Sequence, residues 1–192
     1  FRSVARASSR VAAAAGGCIL VSREYLEKIG GLEVIAGEVI DDINLAAKVK
    51  QAGGSLWLGL SKTMVSVRQY CSLGGISSMV TRTAFDQLGY SYILLGLTLL
   101  GLLGFFVSPP LLCLFSLLFD EPLAGFCGVL AMGLQGLKYW PALRHHALPP
   151  RYALSLPLAS LLYTCMTFLS GWNHLMGRGE VWRGRKLGGA ED

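Results

Sequence analysis

The chain has 192 residues, 53% of them hydrophobic and 15% charged, with a mean hydropathy of +0.50; this composition excludes an ordinary soluble domain and points to membrane segments. Seventeen Lys and Arg against twelve Asp and Glu give a net charge of +5. The basic residues sit beside apolar segments and are not interleaved with aromatics on a polar face, so anionic lipid headgroups are favoured as a partner and nucleic acid is not.

Arg2, Arg6 and Arg10 recur every four residues. Phe1 opens in mid-pattern without a charged leader, so no signal peptide is visible and the sequence reads as the C-terminal part of a longer protein. Gly16 and Gly17 precede an apolar run to Val21 with strand character; the glycine pair suits either the close approach of a ligand or a tight turn. Ser22 is placed to cap a short helix through Ile29, which Gly30 and Gly31 end. After a loop with Glu33 and Glu38 comes a second helix, from about residue 42 to 52. Residues 43, 46, 47 and 50 share one of its faces, no Gly or Pro interrupts it, and Gly53 and Gly54 stop it. Two adjacent carboxylates, Asp41 and Asp42, stand at its start, where they either cap the helix or do chemistry. Apolar runs at 55–60 and 63–70 have strand length. Strand, helix, helix, strand describes part of an α/β layer.

From Ser72 the period changes. Leu73, Ile76, Val80 and Ala84 form a stripe with Arg82 opposite, the pattern of an amphipathic helix in a membrane interface. Three apolar segments follow, 88–119, 122–137 and 152–172, near the roughly 20 residues that span a bilayer. Pro109 and Pro110 make the first either one long kinked helix or a helix followed by a turn. The expected organisation is an α/β part over 1–71, an interfacial helix over 72–87, about three transmembrane helices over 88–172, and a basic tail over 173–192. The linker at 138–151 and the tail are both basic and both read as cytoplasmic, yet three full spans would put the tail on the far side, so the sequence leaves the number of spans open. Trp182, Arg183 and Arg185 in the tail are residue types that anchor at headgroup depth. His145 and His146 suit a loop pair near headgroups, with metal ligation or proton carriage as the alternative. Five scattered cysteines without a C-x-x-C pair argue against a disulfide framework and a zinc site; they read as small buried apolar residues.

The segment 16–31 followed by Ile40-Asp41-Asp42-Ile43-Asn44-Leu45 resembles the second half of the catalytic domain of family 2 glycosyltransferases. The match is nearest to their hopene-associated membrane members through Trp57-Leu58-Gly59-Leu60, Arg82-Thr83-Ala84-Phe85 and Trp182-Arg183-Gly184-Arg185. The resemblance implies the C-terminal half of a GT-A-like nucleotide-diphospho-sugar transferase layer. It implies that Asp42 is the general base that deprotonates an acceptor hydroxyl for inverting attack on the sugar, with Asp41 orienting it, Gly16 and Gly17 on the acceptor side, and Arg82 at the donor phosphates. The family's Gln-x-x-Arg-Trp motif is reduced here to Arg82 within 79–83. A nucleotide-sugar donor, a lipid acceptor such as a hopanoid or polyisoprenoid, and membrane lipids are the implied partners. The implied site is the bacterial inner membrane, with the catalytic part facing the cytoplasm. Mg or Mn is implied through an upstream Asp-x-Asp; none occurs in these 192 residues, which alone hold no metal and are expected to be inactive.

A rival reading is a non-catalytic membrane scaffold or a transporter subunit with a small cytoplasmic α/β cap. A transporter would place ionisable groups within its spans, and these segments have none, which favours an anchor.

Overall fold

The computed structural model describes residues 2–64, 72–177, 180–182 and 185–187. It divides into two compact units, residues 1–76 with 177–192, and residues 77–176.

The first unit holds α1 (Arg2–Ala5), α2 (Arg23–Lys28), a 3-10 turn (Glu33–Ile35) and α3 (Asp41–Gln51). Its core is Ile35, Leu45 and Val49, covered by Val21, Tyr25, Leu26, Ile29 and Leu56. The buried face of α3 is thus Leu45, Ala46 and Val49, rotated by about one position from the 43/46/47/50 face expected from periodicity. Asp42, three residues before Leu45, belongs to this inward face. The double-glycine stop after α2 is present, Gly30 and Gly31 having φ of +93° and +86°, a backbone region open to glycine at no steric cost. Ser22 occupies the N-cap of α2 but makes no side-chain bond there. At the other end of α3, Lys28 Nζ donates to Ala52 O at 2.6 Å and Tyr25 OH to Gly53 O at 3.4 Å. These are carbonyls just beyond the helix end, where a cation also complements the helix dipole.

The expected α/β GT-A-like layer is not found. Residues 16–21 and 55–60 are extended or turning chain without strand pairing, and the run 63–70 lies mostly outside the described residues. Among the described residues the strands are β1 (Glu180–Trp182) and β2 (Arg185–Leu187), an antiparallel pair with Trp182 opposite Arg185. Apolar alternation favours a strand only when another strand takes up its amides and carbonyls, and neither run has such a neighbour among the described residues.

In the second unit α5 (Tyr92–Leu102) continues through a π-helical turn (Leu103–Val107) into α6 (Ser108–Phe119), so Pro109 and Pro110 lie within one long helix. Asp120, at φ +54°, turns the chain into α7 (Pro122–His145). A 3-10 turn (Pro150–Ser155) leads to α8 (Leu156–Leu175). Helix α4 (Leu73–Gln87) buries Val80 and, completely, Phe85, whose N–H donates to Ser170 Oγ at 3.0 Å. Glycines set the close contacts. A Cβ on Gly125 would lie 2.5 Å from Ser116 Oγ, on Gly128 2.6 Å from Pro109 O, and on Gly171 2.4 Å from Leu95 Cδ2, which is the small-residue packing used where helices meet without a hydrophobic driving force.

Among the described residues two helices, not three, are long and apolar enough to cross a membrane: Tyr92–Phe119 and Pro150–Leu175. Helix α7 is longer than the expected 122–137 and absorbs Lys138, Arg144 and His145 from the supposed linker; with Gln135 and several glycines it is too polar to qualify. Only 6% and 22% of the two qualifying windows is buried, whereas the core helix of a soluble protein is mostly covered. Their outward Leu and Phe side chains suit association with a membrane. Cys18, Cys127 and Cys165 are exposed and Cys113 is half-buried, in place of the burial expected of them.

The π-turn depends on borrowed donors. Pro109 has no N–H to offer the Phe105 carbonyl four residues back, and the buried Gln135 of α7 donates its Nε2–H to that oxygen instead. Ser160 Oγ donates to Leu102 O at 3.1 Å, and Ser108 Oγ to Gly104 O. If Gln135 replaces the proline's missing donor, Gln135→Leu destabilises the bundle by about 1 kcal/mol. The loss shrinks in a Pro109→Ala background, where a backbone donor returns. A double-mutant cycle on unfolding of the full chain in detergent checks this, and strictly additive effects would refute the compensation.

Candidate active site

The N-terminus of α3 begins without a capping side chain: its N-cap is Ile40, which makes no side-chain bond. The first free amides of the helix are served instead by the two acids just inside it. Asp41 Oδ1 accepts from Asp42 N–H at 3.0 Å, and Asp42 Oδ1 accepts from Ile43 N–H at 2.8 Å. Carboxylates are favoured at this end by the unsatisfied amides and the positive pole of the helix. Asn44 steadies the approach to the helix by donating Nδ2–H to Glu38 Oε2 at 3.1 Å and to Ile40 O at 3.0 Å.

The second oxygen of Asp42 has a long-range partner. Gly16 N–H donates to Asp42 Oδ2 at 2.7 Å, across 26 residues of sequence. A Cβ on Gly16 would sit 3.2 Å from that oxygen, closer than ordinary van der Waals contact, whereas Gly17 has open space around its Cα. The glycine pair therefore does bring backbone close to a polar group, and that group is the carboxylate of α3. Asp42 is half-buried and held on both oxygens by main-chain amides, while Asp41 is exposed. Each oxygen of Asp42 accepts one of these bonds and retains a second lone-pair direction, so the group can still receive a proton from a hydroxyl.

Gly17 lies at the edge of a cleft of about 1090 Å³ walled by Ala13–Ala15, residues 17–22 and residues 55–61, with Leu45, Ala46 and Val49 against α3. Among the described residues no charged side chain lines it. Trp57 is 83% exposed, and its indole lies across Gly59, where a Cβ would come within 2.3 Å of the ring.

The structure thus brings Gly16 and Asp42 together, with Asp41 alongside and Gly17 at the cleft. Arg82 is on α4 in the other unit and half-buried. Trp182 and Arg185 face each other in the β1–β2 register, and Arg183 lies outside the described residues. His145 and His146 close α7 with their rings edge to face at 5.0 Å. Among the described residues no group of three or more His, Cys, Asp or Glu is arranged to hold a metal ion. Sequence reasoning passed over Lys50, Lys28 and Tyr25, which fix the frame of this site; the signal for Lys50 was a lysine placed beside the apolar face of α3.

Comparison with known proteins gives one family: the model of glycosyl transferase family 21 matches residues 2–188. No curated protein and no solved structure matches the chain. The match carries the glycosyltransferase part of the resemblance noted above, under family 21 in place of family 2, and gives no support to a hopanoid association. The chain belongs to glycosyl transferase family 21.

Proposed function

We propose that the chain supplies the acceptor-activating carboxylate of an inverting, membrane-bound glycosyltransferase, with Asp42 as general base. The observation that carries this reading is the double anchoring of Asp42 on main-chain amides, one of them from Gly16, whose neighbours Ala15 and Gly17 line the cleft. A hydroxyl is a poor nucleophile until a positioned base takes its proton as it attacks, and fixing that base in advance removes the need to order it during reaction. In the proposed step the acceptor O–H proton passes to Asp42, the oxygen bonds the anomeric carbon, and the bond from that carbon to the diphosphate oxygen breaks. The nucleoside diphosphate leaves with the electron pair and the sugar inverts. Asp41, which holds the Asp42 amide, orients the base.

Arg82 is proposed to contact the donor phosphates, for which its bidentate fork suits a diphosphate. A lipid acceptor fits a chain with two bilayer-length helices, with a polyisoprenoid or hopanoid as the finer proposal, and the bacterial inner membrane with the catalytic unit on the cytoplasmic side as the location. Mg or Mn belongs to the same proposal, held through an Asp-x-Asp outside these 192 residues; no step above runs through it.

Asp42→Asn separates the base from a cap. Asn has a single acceptor oxygen, so it keeps one of the two amide bonds of Asp42 and loses the other, for about 1 kcal/mol of stability. As a general base Asp42 contributes on the order of a hundredfold or more to turnover, so the variant is expected to lose that activity per folded molecule while donor binding stays at the parent level. Asp41→Asn is expected to lose less. The assay is sugar transfer from a panel of nucleotide-sugars to polyisoprenol or hopanoid lipid in nanodiscs, with folded fraction measured in parallel; parent-level turnover in Asp42→Asn would remove it as the base. For Arg82, the Lys variant retains charge without the fork, and weaker nucleotide-sugar binding with unchanged expression is the expected result. Unaltered donor affinity would reassign Arg82 away from the phosphates.

A further inference from the structure

We propose that Lys50 is a positioning residue for Asp42, acting through the chain segment 2–16. The inference rests on the reading of Asp42 as the base. Lys50 lies eight residues after Asp42 on α3, about 12 Å along the helix axis at the α-helical rise. Its ammonium gathers three carbonyls of one segment: Val4 O at 2.8 Å, Val11 O at 2.6 Å and Ser3 O at 3.5 Å. An ammonium has three donors and no acceptor, so this set uses all of them. Ser3 and Val4 belong to α1, whose last carbonyls have no helical donors of their own, and Val4 is buried.

Val11 begins the run that ends at Gly16, and Gly16 N–H is bonded to Asp42 Oδ2. Both ends of the run are therefore fastened to the same helix, by Lys50 at Val11 and by Asp42 at Gly16. Five residues reach at most about 17 Å when fully extended, enough to bridge the roughly 12 Å of helix axis between the two anchoring residues, so the two bonds together fix where the run lies along α3. Ala13, Ala14 and Ala15, midway along it, form one wall of the uncharged cleft. Without the ammonium, the hydrogen bond that remains between the segment and α3 among the described residues is that of Gly16, and that amide no longer meets the carboxylate from a fixed direction. The other carboxylates at this end of α3, Asp41 and Glu38, are occupied with the Asp42 amide and with Asn44, so neither replaces Asp42 as the acceptor for Gly16 N–H.

The test compares Lys50→Met, which keeps the apolar stem without the donors, and Lys50→Arg, which restores a cation with several donors, in the full-length enzyme. Amide hydrogen exchange is expected to rise about tenfold at Gly16 in Lys50→Met, as for a site whose opening has become local, while the amides of 45–49 in α3 keep their protection. In the same variant kcat for sugar transfer is expected to fall about tenfold with KM for the nucleotide-sugar unchanged, the pattern of an interaction lost in the transition state alone. Lys50→Arg is expected to recover both values. Unchanged exchange at Gly16 would overturn the proposal. So would faster exchange with parent-level kcat, since Lys50 would then only hold the segment. Should Lys50→Met not fold, Lys50→Gln, which keeps part of the donor set, is read by the same two measurements. The exchange result does not depend on turnover, so an active Asp42→Asn would sink the base assignment and leave the link between Lys50 and Gly16 to be judged by itself.

Discussion

The 2.7 Å hydrogen bond from Gly16 N–H to Asp42 Oδ2 joins two parts of the first unit: the run leading from the N-terminal segment into the cleft wall, and the start of α3. Because the donor is a main-chain amide, holding the carboxylate freezes no side-chain rotamer on the donor's side. The same contact dictates residue type. Any side chain at position 16 would press on the oxygen it serves, since the first carbon alone would lie 3.2 Å away. The helix does the rest: Leu45, Ala46 and Val49 fix its rotation by burial, and that rotation turns Asp42 inward toward Gly16.

The second unit follows a different rule. In a helix packed among apolar side chains each backbone group needs a polar partner, because the apolar groups around it supply none. Pro109 withdraws one donor in mid-helix, and the unit answers with Gln135 from α7 and hydroxyls from Ser108 and Ser160 around the π-turn. Such polar groups are expensive to place among apolar helices unless they are used, and Gln135, 6% exposed, is used on a carbonyl that the proline leaves without its helical donor.

Much of this was legible in the sequence where local chemistry decides. The Gly-Gly stop of α2, the extent of α3, the helix α4 and the passage of a helix through Pro109–Pro110, as one of two alternatives, follow from turn residues and periodicity, which act over a few residues. The acids at the start of α3 and the glycine pair were both singled out, but their meeting was not foreseen. It is a contact over 26 residues, and nothing local encodes it. Strand character at 16–21 and 55–60 misled, because β-propensity describes fitness for a sheet that other segments must supply. The end of α7 was missed because the change from apolar to charged composition after Leu137 marks a change of environment and not the end of a helix; the helix runs on through Lys138 to His145, with Pro141 inside it.

The geometry also explains why an aspartate suits position 42. Its carboxylate is one bond from Cβ, so Oδ1 reaches the amide of the next residue at 2.8 Å while Oδ2 faces Gly16 at 2.7 Å. A glutamate would carry the carboxylate farther by one methylene, with an extra rotatable bond to immobilise and no way to keep both amides at those distances without moving the Gly16 run. That run is tied at its other end to Lys50, so it has little freedom to follow. Displacements near 1 Å in a reacting geometry can reduce rates by about a hundredfold, so under the proposed role of Asp42 the length of this one side chain is a constraint of the same order as its charge. Helix rotation, glycine at position 16, lysine at position 50 and aspartate at position 42 are in this sense a single requirement distributed over four places in the sequence.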